Sequence, residues 1–213
     1  MSKIVVLGAA GKAGYRVVSE AAARGHQVTA VARDTARLGL LPAGVNSVGG
    51  DATHHESVAV LAKNADVLVL TIGGPDPALY PAAVATVTRA VRALGPAAPR
   101  ILHMGGGATL LNEYGSRFLD APGFPEEFRP HAMGQLRALD AYRASDGVTW
   151  TYLSPPPVHF APGERTGRYR TGLEHPVTCA DGQARISYED YAVALVDEIE
   201  IAGYLNRRFT VGY

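Results

Sequence analysis

The 213-residue chain carries 20 basic and 20 acidic side chains, 47% hydrophobic residues and a single cysteine. Its balanced charge provides no basic face for nucleic acid or an anionic membrane, and Cys179 alone forms no intrachain disulfide. No apolar run approaches a length of about 18 residues and no Cys/His cluster has metal-ligand spacing, so we expect neither a membrane span nor a metal site. We therefore expect a cytoplasmic protein of one domain over residues 1–213, long enough to bury roughly 70% of its unfolded surface.

The N-terminal stretch predicts a strand, a glycine turn and a helix in direct succession. Residues 4–7 form an aliphatic run typical of a strand buried on both faces, and a helical pattern begins at Ala13. Between and beyond them stand Gly8, Gly11 and Gly14. Glycines at such a turn let the backbone approach a pyrophosphate, which the free N–H groups of the helix N-terminus can bind. The spacing differs from the commoner Gly-x-Gly-x-x-Gly, but its position between strand and helix predicts a dinucleotide site.

The second predicted strand, residues 27–32, ends where a dinucleotide-binding fold reads the adenosine ribose. Arg33 follows it directly, about 20 residues beyond the glycines. An arginine at this place accepts the 2′-phosphate of NADP, whereas an acid binds the 2′-hydroxyl of NAD. Arg33, together with Lys12 in the glycine turn, therefore favours NADP. Asp34, an acid at the next position, leaves NAD as the alternative cofactor. The alternative interpretation of Arg33 is a solvated loop residue without a role in binding.

Residues 45–48 predict a third strand, which leads into Gly49-Gly50-Asp51-Ala52. Two roles remain open for Asp51. Its carboxylate can accept a hydrogen bond from the adenine amino group, or it can cap a helix predicted over residues 54–63.

Residues 65–72 and 100–104 predict the fourth and fifth strands, each followed by glycines. The glycines that begin at Gly73 allow the ribose and phosphates of a cofactor to approach the carboxyl end of the fourth strand. Between the two strands a helix begins at about Pro81, and its valines at helical spacing predict a core-facing stripe.

A long segment over residues 108–130 contains several prolines and the aromatic residues Tyr114, Phe118, Phe124 and Phe128. A connection of this length is unusual unless it is functional. The aromatic side chains are suited to covering a planar substrate, and equally to forming a hydrophobic plug or a dimer contact.

The remaining chain predicts a helix over residues 131–145 and a sixth strand over residues 148–153, which three prolines end abruptly. Ser187, with Asp190 three residues later, predicts a capping box that opens the last helix, and residues 208–211 predict a closing strand.

The alternation of strands and helices predicts an α/β fold with a doubly wound, Rossmann-like parallel sheet in a single domain. We expect the substrate region to be built from about residues 105–130 and 154–180.

These residues resemble the atypical short-chain dehydrogenase/reductases that bind NAD(P)H. Within that group they are most similar to proteins provisionally named NADH-flavin reductases and to the flavin/biliverdin reductase B type. The likeness covers essentially the whole chain, and its motifs are specific for the fold and cofactor but not for the reaction. The matching stretches are Gly8-Ala9-Ala10-Gly11-Lys12-Ala13-Gly14, Arg24-Gly25-His26-Gln27-Val28-Thr29-Ala30 with Arg33, Gly50-Asp51-Ala52, Trp150-Thr151-Tyr152-Leu153-Ser154-Pro155 and Gly163-Glu164-Arg165-Thr166-Gly167-Arg168-Tyr169.

The resemblance implies a cofactor site with four parts. It assigns Gly8, Ala10, Gly11, Lys12 and Ala13 to the pyrophosphate. It assigns Arg33 to the 2′-phosphate, and Asp51 and Ala52 to the adenine. The ribose is assigned to Thr71, Ile72 and Gly73, and the nicotinamide to Met104, Gly105 and Pro155.

The chain departs from this family at the catalytic pair. Standard members use Tyr-x-x-x-Lys on the helix after the fifth strand, and the corresponding stretch here is His131-Ala132-Met133-Gly134-Gln135. No lysine follows Lys63 anywhere in the sequence. Reduction of a ketone creates an alkoxide that needs a proton. A tyrosine, with an ordinary pKa of about 10, can donate that proton only when an adjacent ammonium group lowers its pKa. Gln135 carries no charge and cannot supply that help.

Two mechanisms remain open. Either the acceptor is electrophilic enough to need little acid help, as an oxidised flavin or a quinone is, or His131, with an ordinary pKa of about 6.5, is the acid. His159 is a second candidate, and an exposed residue at a helix start is the alternative interpretation of His131.

We therefore predict an oxidoreductase that prefers NADPH to NADH and transfers hydride to a flavin, a quinone or a similar small conjugated acceptor, with His131 as the candidate catalytic residue. We expect a monomer or homodimer without nucleic-acid or membrane partners. The competing class is a sensor that keeps the NAD(P) site and has lost turnover.

Overall fold

Ten strands and five helices follow one another in the computed structural model, which describes residues 1–213. The strands are β1 (Lys3–Leu7), β2 (Gln27–Ala32), β3 (Asn46–Gly49), β4 (Val67–Leu70), β5 (Arg100–Met104), β6 (Trp150–Ser154), β7 (His159–Ala161), β8 (Arg170–Gly172), β9 (Arg185–Ser187) and β10 (Arg207–Gly212). The helices are α1 (Lys12–Ala23), α2 (His55–Ala62), α3 (Leu79–Arg92), α4 (Arg129–Arg143) and α5 (Tyr188–Ile201). None of these helices combines the length and the apolar character that crossing a membrane requires.

Eight strands form one sheet in the order β3-β2-β1-β4-β5-β6-β10-β8. All neighbours are parallel except β10 and β8, and the strand order reverses between β1 and β4. This topology confirms the predicted doubly wound, Rossmann-like α/β fold. In such sheets a ligand binds outside the carboxyl ends of the strands at the reversal point.

The two faces of the sheet bury separate apolar clusters. Within β1, Ile4 and Val6 belong to the cluster that packs against α1 and α5, whereas Val5 and Leu7 belong to the cluster under α2, α3 and α4. All four side chains are at most 4% exposed. Successive side chains of a strand point to opposite faces, so an uninterrupted aliphatic run is what a sheet covered on both sides requires.

The structure moves several predicted boundaries. Helix α4 begins at Arg129 and not at residue 131, because Pro130 is accommodated in its first turn, where a missing N–H leaves no bond unmade. Strand β3 is shifted by one residue and its four residues are exposed, as an edge strand allows. The short strands β7, β8 and β9 carry no apolar run, and the sequence did not indicate them.

The predicted capping box of α5 is half correct. The Ser187 hydroxyl accepts a hydrogen bond from the Asp190 N–H at 2.9 Å, as an N-cap does. The reciprocal bond is absent, because the Ser187 N–H donates to the Tyr213 hydroxyl. The fully buried Asp190 carboxylate instead accepts bonds from the Thr166 hydroxyl at 2.6 Å and the Gly167 N–H at 2.7 Å. Asp190 thus fastens the segment before β8 to α5.

Candidate functional site

A cleft of about 400 Å³ opens at the carboxyl ends of β1, β2 and β4, at the reversal of strand order. The residues that line it are Leu7, Gly8, Ala10, Gly11, Ala32, Arg33, Asp34, Arg37, Gly50, Asp51, Ala52, Thr71, Ile72, Gly73 and Leu79. Nine of the residues assigned to the cofactor by resemblance therefore line one cleft: Gly8, Ala10, Gly11, Arg33, Asp51, Ala52, Thr71, Ile72 and Gly73.

The glycine turn is packed so tightly that side chains are excluded from it. A Cβ on Gly14 would lie 2.4 Å from the Gly8 carbonyl oxygen and 2.5 Å from the Thr71 hydroxyl. Gly8 has a φ of +89°, and a Cβ there would lie 2.6 Å from the Thr71 carbonyl oxygen. Glycine is therefore required at both positions to bring the turn against the end of β4.

The start of α1 offers unused hydrogen-bond donors. The backbone N–H groups of Ala10, Lys12, Ala13 and Gly14 make no hydrogen bond within the protein. Such free N–H groups at the positive end of a helix dipole bind phosphate oxygens. The turn and the free donors together fit the pyrophosphate of a dinucleotide.

Two cations line the cleft just after the end of β2. Arg33 follows β2, Arg37 lies one turn later in a 3-10 helix over Thr35–Leu38, and neither guanidinium forms an ion pair within the protein. Arg37 was not assigned to the site from the sequence, although its position as a basic residue four places after Arg33 could have indicated it. The Asp34 carboxylate caps the 3-10 helix by accepting the Ala36 N–H at 3.0 Å. One oxygen of Asp34 is therefore engaged in holding the backbone.

Asp51 is not the N-cap of α2, which is His54. Its Oδ1 accepts the Thr53 N–H at 2.8 Å and the Thr53 hydroxyl at 2.7 Å, so the residue closes a local turn. Partial burial raises the pKa of Asp51, but the bonds from Thr53 and the charge of Arg33 outweigh it and the pKa lies below its ordinary value. The carboxylate lines the cleft as an anion with Oδ2 free to accept a bond.

Five residues of the implied cofactor set do not line this cleft: Lys12, Ala13, Met104, Gly105 and Pro155. Lys12 is exposed at the start of α1, and Ala13 beside it is buried. Gly105 and Pro155 are buried, and Met104 is half-buried at the end of β5. Met104 is the last residue of β5, Gly105 follows it directly and Pro155 directly follows β6, so all three lie at the carboxyl ends of the two strands that come after β4 in the sheet.

A second space, which we call the apolar cavity, has a volume of about 410 Å³ and lies beside the end of β5. Its lining residues are Gly106, Gly107, Ala108, Phe118, Phe124, Pro125, Phe128, His131, Ala132, Gln135, Pro157 and Val158. Three of the four aromatic residues singled out in the long segment thus surround one cavity. The fourth, Tyr114, is 83% exposed and lies elsewhere.

His131 and Gln135 lie one turn apart on α4 and line the apolar cavity together. The Tyr80 hydroxyl lies 3.4 Å from His131 Nδ1. Burial raises the pKa of Tyr80, and a hydrogen bond with Gln135 offsets this only in part. The Tyr80 hydroxyl therefore keeps its proton at neutral pH.

A layer of buried aromatic side chains lies next to the apolar cavity and contacts Gln135 in its lining. The Tyr152 hydroxyl lies 2.9 Å from the Gln135 carbonyl oxygen, 2.8 Å from Gln135 Oε1 and 3.3 Å from the Gly106 N–H, so it ties α4 to the end of β5. A Cβ on Gly105 would lie 1.9 Å from the Tyr152 ring, which explains why residue 105 is a glycine. The ring stacks on His103 at 5.1 Å, and burial lowers the His103 pKa to about 3. His103 is neutral and structural, and it carries no charge at physiological pH.

Comparison with known proteins supports a nicotinamide cofactor. A family model described as NAD(P)H-binding matches residues 8–200. The chain is 34% identical to the uncharacterized protein YwnB of Bacillus subtilis (strain 168), over an alignment that covers 98% of this chain and 97% of YwnB.

Two solved structures have the same fold over nearly their whole length. A Bacteroides thetaiotaomicron protein provisionally described as an epimerase superposes with a TM-score of 0.90 at 31% identity, covering 99% of this chain and 96% of that one. A Streptococcus pneumoniae TIGR4 protein provisionally described as an NADH-flavin reductase gives a TM-score of 0.85 at 32% identity, covering 100% of this chain and 99% of that one.

Proposed function

We propose that this chain, which belongs to the NAD(P)H-binding family, transfers hydride from NADPH to a flavin, a quinone or a similar conjugated acceptor. The observation that carries the proposal is the pairing of His131 and Gln135 on one wall of the apolar cavity, where a tyrosine and a lysine stand in standard dehydrogenases. The similarity to a protein provisionally described as an NADH-flavin reductase supports the same reaction type.

The lining of the apolar cavity supports an acceptor that needs little acid help. Proton donors that lower the barrier of ketone reduction require a pKa near the working pH. The neutral Gln135 supplies no ammonium charge, and its hydrogen bond does not offset the effect of burial on the pKa of Tyr80. The phenols of Tyr80 and Tyr152 have pKa values raised by burial, so they are weak acids here. A conjugated acceptor spreads the incoming electron pair over its ring and takes its proton from a weak donor or from solvent.

The residues of the two spaces have separate tasks in this proposal. When bound, NADPH supplies the hydride. Gly8, Ala10, Gly11, Lys12 and Ala13 hold the pyrophosphate, and Met104, Gly105 and Pro155 form the seat of the nicotinamide ring. Phe118, Phe124 and Phe128 hold the acceptor ring, which fixes the reacting atoms in one geometry. His131, which lines the same cavity, donates a hydrogen bond to the acceptor.

The unpaired guanidinium groups of Arg33 and Arg37 support a preference for NADPH. A 2′-phosphate with a charge near −2 gains charge-assisted hydrogen bonds from them. Asp34 would repel the same phosphate, but it lies at the cap of the 3-10 helix with one oxygen engaged. We also propose that the protein acts in the cytoplasm as a monomer or homodimer.

A screen of NADPH oxidation tests the proposal. Purified protein is mixed with NADPH and, in turn, free flavins, quinones, tetrapyrroles and simple ketones. We expect measurable turnover with flavins or quinones and hardly any with unactivated ketones. Equal rates for simple ketones and quinones would contradict the argument from the absent lysine. Tight NADPH binding without oxidation by any acceptor would instead favour the sensor.

A further inference from the structure

A second space adjoins the apolar cavity. We call it the polar cavity; it has a volume of about 560 Å³. It shares Phe118, Pro157 and Val158 with the apolar cavity, so these three residues are a common wall over which one ligand can extend. Its other lining residues are Leu111, Asn112, Glu113, His159, His175, Pro176, Thr178, Gly182, Gln183 and Ala184.

The polar cavity is open to solvent, and its polar side chains are free to exchange water for a ligand. His159, His175, Thr178 and Gln183 are exposed, and none of their side-chain atoms has a hydrogen-bond partner in the protein. The residues come from two separate parts of the chain: His159 begins β7, while the other three lie between β8 and β9. Donors and acceptors are both represented, as a ligand with several hydroxyl groups requires.

The charges around the polar cavity provide no receptor for a phosphate. Glu113 is the one carboxylate in its lining, and no lysine or arginine lines it. The two arginines adjacent in sequence to lining residues are already paired, Arg117 with Asp120 at 2.5 Å and Arg185 with Asp181 at 2.6 Å. A phosphate dianion would meet Glu113 without a compensating cation, which is unfavourable.

We propose that the polar cavity binds an uncharged polyhydroxylated side chain of the acceptor, whose ring system lies in the apolar cavity. This inference rests on the proposed function and narrows it. It selects a flavin with a free ribityl chain, as in riboflavin, over a quinone with an isoprenoid tail. An isoprenoid tail would leave the polar side chains of this cavity facing apolar carbon, whereas a ribityl chain exchanges their water for hydroxyl groups.

Binding measured without turnover tests this inference separately from the reaction. Protein saturated with NADP⁺ is titrated with riboflavin, with lumiflavin, which has the ring but no ribityl chain, and with flavin mononucleotide, following flavin fluorescence. One net hydrogen bond changes affinity by roughly 2- to 10-fold. We expect riboflavin to bind about 3- to 30-fold more tightly than lumiflavin, and flavin mononucleotide to bind no more tightly than riboflavin.

Matched variants locate the effect. The double variant Gln183→Leu/Thr178→Val should weaken riboflavin binding to the level of lumiflavin and leave lumiflavin unchanged. Gln27→Leu, at an exposed glutamine that begins β2 away from both cavities, should change neither affinity.

Three results would overturn the inference: equal binding of riboflavin and lumiflavin, tenfold tighter binding of flavin mononucleotide than of riboflavin, or an undiminished riboflavin preference in the double variant. The absence of any flavin binding would overturn it as well. Selective riboflavin binding without NADPH oxidation would leave this site in place and refute the proposed reaction alone.

Discussion

The Tyr80 hydroxyl lies 3.4 Å from Nδ1 of His131, across the gap between α3 and α4. Burial raises the pKa of Tyr80, so its hydroxyl keeps its proton, and the ring tautomer of His131 decides whether that hydroxyl donates to Nδ1 or accepts from it. An imidazole tautomer that accepts at Nδ1 carries its proton on Nε2. In that tautomer, Tyr80 holds the ring and leaves Nε2 to donate a hydrogen bond.

Replacement of His131 by alanine should lower the rate with a flavin acceptor by less than about tenfold, because such an acceptor needs little acid help. A true general acid contributes roughly 10²–10⁴-fold. Steady-state NADPH oxidation checks this, with circular dichroism to verify the fold. A loss of about three orders of magnitude in a folded variant would identify His131 as the acid.

Tyr80→Phe is the matched variant for that experiment. It removes the hydroxyl that contacts Nδ1 and leaves the imidazole in place, so we expect a smaller loss than in His131→Ala. A larger loss in Tyr80→Phe than in His131→Ala would mean that the phenol acts independently of His131.

Arg33→Ala should raise the dissociation constant of NADPH by roughly 10- to 100-fold and leave that of NADH nearly unchanged. One well-formed charge-assisted bond to the 2′-phosphate is worth about 1.5–3 kcal/mol, and about 1.4 kcal/mol corresponds to tenfold. Fluorescence titration of both cofactors measures the effect, which added salt should reduce.

Lys12→Ala is the variant with which Arg33→Ala is compared. It should weaken NADPH binding less than Arg33→Ala does, since Arg33 lines the cleft and Lys12 does not. Equal losses for both cofactors in Arg33→Ala would mean that Arg33 contacts only the adenine. Tighter binding of NADH than NADPH by the unmodified protein would assign the ribose to Asp34.

Gly14→Ala should destabilise the protein even without cofactor, because the new Cβ would lie 2.4 Å from the Gly8 carbonyl oxygen. Overpacking of this kind costs about 1–3 kcal/mol. Gly73→Ala is the matched control in the same cleft, since a Cβ there meets no atom within 4 Å. Urea unfolding of the two variants should separate them, and equal free energies of unfolding would show that the turn can relax.

Glu20→Gln should make the stability less dependent on pH in the acidic range. A hydrogen bond from Arg165 lowers the pKa of Glu20 below its ordinary 4.5, burial opposes this, and Arg24 adds to the lowering. A depressed carboxylate pKa stabilises the folded state above the unfolded pKa, and the contribution is lost as the pH falls through the folded pKa.

The variant should therefore be less stable than the natural protein at neutral pH, with the difference shrinking below pH 4.5. Free energies of unfolding measured over that range check the sign. A difference that stays constant with pH would mean that the two arginines stabilise Glu20 no more than they would an amide.

The sequence by itself determined the central strands of the sheet and the glycine turn that lines the cleft. Aliphatic runs such as residues 4–7 are typical of strands buried on both faces, and the spacing of Gly8, Gly11 and Gly14 reports a local backbone requirement. Arg33 could be identified because it directly follows Ala32, the last residue of β2. In each case the physical cause lies within a few residues of the signal.

Only the tertiary structure decided which residues line the apolar and polar cavities. Phe118 and Val158 stand 40 positions apart in the sequence, yet both line the apolar and polar cavities. Nothing near Tyr80 indicated a contact with His131, 51 residues away. Such contacts depend on how helices and loops pack over the sheet, and many sequences with the same local pattern could pack differently. The glycine turn and Arg33 could be predicted because their geometry is local. The two cavities could not, because the packing of segments that are distant in the sequence forms them.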